Sequence, residues 1–234
     1  MTEFQDRVKP LLTGVPGWLT DEEGEALYEL AKRCTGRGAI VEIGSWKGKS
    51  TICLGLGSRA GNGVRIIAID PHTDYRFGDF KANVERAGIA DLVTPVPSLS
   101  QDAANGFGEP IELLFVDGSH EEGDVRADFD QWVPKVVDGG WVAFHDTTWT
   151  VGPRRVVGER IYRSRRFKDI RFVVGSTTVA RKVAQNSLAD RLRARYVLAL
   201  KTAFWLGSSM LKKQRRLLPK SLERIGRRVL RALQ

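Results

Sequence analysis

The sequence predicts an α/β fold: a doubly wound, mostly parallel sheet of seven strands, followed by a basic helical extension. Three observations carry this. Short apolar runs alternate with helical patterns through residue 182, as parallel strands joined by crossover helices do. Glycine, acidic and histidine residues gather at the C-terminal ends of those runs, where open parallel sheets hold their ligands. After Lys182 the strand signals stop, and the remaining chain is amphipathic at helical period.

Taken in order, the opening MTEFQDRVKP lacks the basic-then-apolar order of a signal peptide. LTDEEGEALYELAKRC then reads as a helix covering one sheet face, with Thr20 as N-cap and Glu23 three residues later forming a capping box. The strands are AIVEIG (39–44), RIIAID (65–70), LVTPVP (92–97), IELLFVDG (111–118) and GWVAFHD (140–146), closed by IRFVVG and TTVARK. Between them lie helices such as Ser50 to Arg59, Phe80 to Ala87 and Gly123 to Val137, the last with Val125, Phe129 and Trp132 facing the sheet. Residues 1–182 therefore form one body with an N-terminal cap helix. Residues 183–234 form the extension, read as two helices broken near Pro219.

A chain of 234 residues, 42% of them hydrophobic, can bury a full core. Cys34 and Cys53 match neither a disulfide framework nor a zinc spacing, which fits a reducing compartment. No run reaches the roughly 18 apolar residues of a spanning helix, so the expected location is cytoplasmic. The net charge of +9 is unevenly placed. Residues 183–234 hold thirteen basic residues and only Asp190 and Glu223 as acids, a local +11, and the remainder carries −2. A near-neutral body without an aromatic-basic groove argues against nucleic acid.

The loop GSWKGKST, residues 44–51, imitates the end of a phosphate-binding P-loop. Counting back from Gly48, the first P-loop glycine would fall on Ile43, whereas the glycine is Gly44, so the loop is one residue short. A shorter loop cannot close the same nest of N–H groups, and Glu42 would repel a triphosphate. A nucleotide-like ligand bearing positive charge fits better. A dinucleotide enzyme is disfavoured because Glu42 stands where the first glycine of G-x-G-x-x-G belongs.

At the strand ends stand Glu42 and Gly44, Asp70 and His72, Ser98 to Gln101, Asp117 and His120, and His145 and Asp146, a set that includes all three histidines of the chain. Asp70, about 26 residues beyond Gly44, occupies the place where an acid takes the ribose hydroxyls of a dinucleotide or adenosyl ligand. Each residue also has a plainer reading: Asp70 as a solvated strand end, His120 as a helix cap, and His72 and Asp74 as turn formers. Trp18, Trp46 and Tyr75 read either as walls of a pocket or as core.

In combination, VEIGSWKGKST, IIAID, AGIADLVTPVPSLSQD, LLFVDGSH and GGWVAFHDTT resemble the class I S-adenosylmethionine-dependent methyltransferases with their Rossmann-like sheet. The closest likeness is to the metal-dependent O-methyltransferases, such as catechol O-methyltransferase and bacterial sugar and macrolide-sugar enzymes. The resemblance covers roughly residues 20–180. It implies that Glu42, Gly44, Ser45 and Ser50 line the methionine end of the cofactor, that Asp70 takes the ribose, and that Leu99, Ser100 and Gln101 frame the adenine. It also implies a divalent metal, Mg²⁺ or Mn²⁺, held by Asp117 and Asp146, with Thr147 in place of the family's amide and His145 as a further ligand or a residue orienting the acids. Asp117 would border the cofactor too. His120, three residues beyond Asp117, takes the position of the catechol enzyme's lysine base.

The implied reaction is methyl transfer to a hydroxyl of a sugar, glycolipid or other small molecule. The rival classes are a P-loop-like nucleotide-binding enzyme and a non-catalytic protein that binds a membrane or partner on this scaffold. YVLALKTAFWLGSSMLKK is apolar, interrupted by Lys201 and flanked by basic residues, which suits a helix in a membrane interface. A lipid-linked sugar substrate, peripheral contact with the inner membrane face, and a homodimer are the expected partnerships.

Overall fold

The computed structural model describes residues 2–73 and 76–213. The chain opens with a short helical segment, a π turn at Phe4–Val8 running into α1 (Lys9–Leu12), and then α2 (Asp21–Lys32). Alternating elements follow: β1 (Ala39–Ile43), α3 (Lys49–Ala60), β2 (Ile66–Asp70), α4 (Arg76–Arg86), β3 (Val93–Pro97), α5 (Ser100–Gly106), β4 (Ile111–Val116), α6 (Glu122–Trp132) and β5 (Val136–Phe144). The chain continues through α7 (Val151–Val157), β6 (Phe167–Phe172), β7 (Thr178–Lys182) and α8 (Leu188–Lys213).

The seven strands lie in the order β3-β2-β1-β4-β5-β7-β6. All pairings from β3 to β5 are parallel, and β7 runs antiparallel to both β5 and β6. This is the expected doubly wound, Rossmann-like sheet, and its order reverses between β1 and β4, which opens a crevice beyond their carboxyl ends. Strands β1 and β4 are buried at every position, as central parallel strands covered on both faces must be. Pro95 and Pro97 sit on the edge strand β3, where a missing N–H breaks no ladder.

Two apolar layers flank the sheet. On one face α2, α3 and α4 bury Leu27, Tyr28, Ile52, Leu54 and Phe80. On the other, α6, α7 and α8 bury Phe129, Trp132, Val156 and Val197 against Phe144 and Phe167. The N-terminal segment, which the sequence reading left without an element, tucks Phe4 and Val8 into the first layer, with Phe4 edge-on to Tyr28.

Several boundaries differ from expectation. The helix expected over Gly123–Val137 stops at Trp132 and gives way to a 3-10 turn, because Pro134 has no N–H to continue the α-helical ladder and its ring crowds the preceding turn. Strand β5 consequently starts at Val136 rather than Gly140, and β6 begins at Phe167 rather than Ile170. The extension contains a 26-residue helix, α8, that packs on β6 and buries Ala194, Val197 and Lys201 at spacings of three and four. The expected break near Pro219 lies outside the described residues, as do Asp74 and Tyr75. Among the described residues, no helix is long and apolar enough to cross a membrane.

Candidate active site

The crevice begins at the turn after β1. Gly44 has φ +87°, and a Cβ there would stand 2.1 Å from the carbonyl oxygen of Asp117, so only glycine lets the ends of β1 and β4 approach this closely. Two residues earlier, within β1, Glu42 is completely buried, its Oε2 accepting a 2.5 Å hydrogen bond from Thr51 Oγ1 and its Oε1 left without a partner. Burial pushes this carboxyl up to about 7, against the hydrogen bonds of Ser50 and Thr51, and the charges of Asp117 and Asp70 push the same way. A buried acid with an orphaned oxygen beside a glycine turn suits the cationic end of a ligand.

Asp70 organises the loop. Its Oδ2 accepts from Trp46 N and its Oδ1 from His72 N, each at 2.9 Å, and both residues adopt left-handed backbone geometry. Ser45 is buried, with its Oγ 3.4 Å from His72 Nε2. The His72 ring packs against Phe77 and Phe80 at 4.8 Å each, and burial lowers its pKa. Trp18, 82% exposed, stacks on Trp46 at the crevice mouth. Lys49 Nζ, donating to Gly17 O, ties the same two segments together.

The expected adenine segment follows β3. Leu99 caps α5 and is exposed, and Gln101 is half-buried. The Ser100 hydroxyl turns away to donate to Asp128 on α6, so any approach to a ring from Ser100 would be through its backbone.

Across the crevice, β4 and β5 present Asp117, His120 and Asp146, whose ligand atoms all lie within 4.8 Å of one another. His120 Nε2 is 2.9 Å from Asp146 Oδ2, and the His120 side chain is 51% exposed. Asp117 is partly buried, its side chain 26% exposed, and desolvation, with the nearby Asp146 charge, raises its carboxyl pKa despite His145. Two carboxylates and an imidazole at this spacing fit a divalent cation by donor type and by charge.

Two of the expected metal ligands are engaged elsewhere. The Thr147 hydroxyl bonds to Ser176 O at 2.8 Å and to Thr178 Oγ1 at 2.7 Å, and it accepts from Lys201 Nζ at 2.7 Å. It therefore points into the β7–α8 side of the sheet rather than toward the acids. His145 lies beneath the cluster, its Nδ1 3.0 Å from Asp117 and 3.5 Å from Asp146, and its Nε2 3.4 Å from Glu23. These contacts pair the ring with three carboxylates. Burial alone would lower the imidazole's pKa, but three carboxylates outweigh it and hold the ring protonated. His145 thus stands beneath the cluster against Asp117, Asp146 and Glu23, in place to orient the two acids.

Glu23 is a site residue that the sequence reading found only as a helix cap. Its Oε2 accepts from Thr20 N and Oγ1, completing the capping box. Its Oε1 reaches Ser176 N and Thr177 Oγ1 at 2.6 and 3.0 Å, in the turn before β7. Burial opposes its charge, and the His145 hydrogen bond and charge together with the Thr20 contacts reverse that, leaving its pKa lowered. Gly175 admits this approach, since a Cβ there would sit 2.6 Å from the Glu23 carboxyl carbon. The capping box was the sequence signal for Glu23, and its bond to Ser176, 153 residues on, has no local signature.

Comparison with known proteins places this geometry. Residues 41–147 match the family model described as "Methyltransferase domain". A solved protein of Corynebacterium glutamicum superposes with a TM-score of 0.63 at 19% identity, over 80% of this chain and 94% of that one. The O-methyltransferase of Bacillus cereus in complex with SAH gives 0.57 at 19%, over 76% and 90%. TomG of Streptomyces achromogenes, an O-methyltransferase of tomaymycin synthesis solved with SAM, gives 0.59 at 17%, over 79% and 100%. A stretch of 37 residues, 16% of the chain, is 51% identical to "Uncharacterized protein y4gI" of Sinorhizobium fredii and spans 4% of that protein. The matched segment runs from β1 through the acids after β5, so the part of the chain that builds the crevice is similar to a methyltransferase domain and its sheet has the strand order of that fold.

Proposed function

We propose that the protein is an O-methyltransferase that uses a divalent metal to methylate a hydroxyl of a small molecule, with sugars and glycolipids as the favoured acceptors. The observation that carries this reading is the Asp117, His120 and Asp146 cluster, set directly across the Gly44 turn from the buried carboxylate of Glu42. The similarity to O-methyltransferases solved with SAM and SAH supports it.

In this reading Glu42, Gly44, Ser45 and Ser50 hold the methionine end of S-adenosylmethionine. Asp70 takes the ribose, and Leu99, Ser100 and Gln101 border the adenine, Ser100 through its backbone. When bound, the cofactor would supply an electrophilic methyl group, and Asp117 and Asp146 would hold a divalent metal that would make the acceptor hydroxyl more acidic. His120, half exposed at the edge of the acids with its Nε2 turned to Asp146, takes the hydroxyl proton at its other ring nitrogen. His145 and Glu23 keep the two acids in place. Trp18 and Trp46 shield the crevice mouth from water.

The body comprises residues 1–182, and α8 serves as a docked extension. Its outward face carries exposed Leu188, Leu192, Tyr196 and Leu206 alongside Arg195, which supports peripheral contact with an anionic membrane and hence a lipid-linked acceptor.

Titration calorimetry with S-adenosylmethionine, ATP and NAD is the first test. S-adenosylmethionine alone should bind, with a dissociation constant on the order of micromolar, and methyl transfer to sugar hydroxyls should vanish with EDTA and return with Mg²⁺ or Mn²⁺. Binding of ATP or NAD instead would overturn the cofactor assignment, and EDTA-resistant transfer would remove the metal.

A further inference from the structure

A second concave site lies outside the crevice, between α7, the turn that follows it, and α8. It is a cavity of about 180 Å³ lined by Thr148, Arg154, Tyr162, Leu198, Lys201 and Trp205 among others, and it reaches the surface at the exposed Thr202. Lys201, 4% exposed, donates from Nζ to the hydroxyls of Thr147 and Thr178 at 2.7 and 3.0 Å and lies 5.4 Å from the Tyr162 ring centre. The guanidinium of Arg154 stacks on Trp205 at 4.5 Å. Among the described residues no carboxylate pairs with either cation. The Thr148 hydroxyl, on a residue only 1% exposed, has no hydrogen-bond partner.

Two cations without a counter-ion are expensive to hold in a partly buried cavity, and an unsatisfied buried hydroxyl adds to that cost. An oxyanion would relieve all three groups together. Arg154 offers a planar fork of donors, Lys201 a point charge, and Thr148 a neutral donor. Tyr162, Leu198 and Trp205 form an apolar and aromatic wall, larger than a bare ion can use.

We propose that this cavity binds an organic oxyanion, a phosphate or carboxylate group on a compact apolar or aromatic stem, with Lys201, Arg154 and Thr148 contacting the anionic head. The site is independent of the methyl-transfer reading, because none of the crevice residues lines it.

The test titrates the full chain with phenyl phosphate, benzoate, inorganic phosphate and acetate at fixed ionic strength. Binding is followed by calorimetry and by protection of Arg154 from phenylglyoxal. Phenyl phosphate or benzoate should bind saturably and protect Arg154. Affinity should fall roughly tenfold or more in Lys201→Met and in Arg154→Gln, and severalfold in Thr148→Val, while S-adenosylmethionine binding stays as in the parent. Thr148→Val changes little volume and keeps the proposal testable if the charge variants fold poorly. Binding of the bare ions alone would replace the organic ligand with a free anion. Affinity unchanged across the variants, or no binding by any of the four probes, would overturn the site.

Discussion

At the scale of single residues, the two most informative groups are Glu42 and His120. The raised pKa of Glu42 means the folded state holds its proton more tightly than the unfolded chain, so ionisation destabilises the fold as pH rises from about 4.5 through 7. Glu42→Gln cannot ionise, and it should gain up to roughly 3 kcal/mol over the parent at pH 8 and close to nothing at pH 4. Denaturant melts at both pH values check this, and S-adenosylmethionine affinity should fall in the same variant. For His120, the cluster's compactness admits two roles, proton acceptor or third metal donor. His120→Gln should lower kcat by about 100-fold or more and leave Mn²⁺ affinity essentially unchanged. A collapse of Mn²⁺ affinity with equal loss at saturating metal would instead make the imidazole a ligand. Asp117, Asp146, Glu42 and Asp70 were legible in the sequence because each ends an apolar run, and a strand's end fixes where its last side chains stand. The hydroxyl of Thr147 is engaged by Thr178 and Lys201, 31 and 54 residues away, a direction that no local pattern encodes.

At the scale of elements, the fold was read most accurately where one local rule decides, and least where two compete. The capping box of α2 is fully formed as expected, because Thr20 and Glu23 satisfy each other within one turn. The end of α6 was missed because its apolar spacing continues past Trp132 while Pro134 overrides it. The same helix start shows how an element serves the site: Glu23 caps α2 with one oxygen and holds the turn before β7 with the other. Thr20→Ala removes only the cap and should cost about 1 kcal/mol. Glu23→Ala also orphans the buried Ser176 amide and the charge on His145, and should cost roughly 3 kcal/mol or more. Urea melts of the two variants separate these contributions, and equal losses would reduce Glu23 to a cap. Metal affinity should fall only in Glu23→Ala, since His145 then loses the partner that steadies it beneath Asp117 and Asp146.

At the scale of the whole molecule, the charge asymmetry visible in composition has a structural counterpart that composition could not reveal. The basic extension was set apart because strand signals stop after Lys182, and the lysine interrupting its apolar stretch suggested an interfacial helix; α8 lies along β6 with Lys201 on its inward face. Helical spacing put Ala194, Val197 and Lys201 on one side, but only the hydroxyls of Thr147 and Thr178 make a lysine tolerable there. Burial lowers its pKa to about 7, with the Arg154 charge pushing the same way, so the folded state sheds a proton that the unfolded chain retains up to about 10.5. The destabilisation is therefore complete below pH 7 and is relieved as pH rises toward 10. Lys201→Met, of similar length and without charge, should stabilise the protein by a few kcal/mol at pH 6. That advantage should shrink steadily between pH 7 and 10, where the parent's lysine is already neutral in the fold. Thermal melts of both proteins across this range measure it directly. A constant difference between them would mean that lost packing and hydrogen bonds, rather than a buried charge, govern how α8 is held to the sheet.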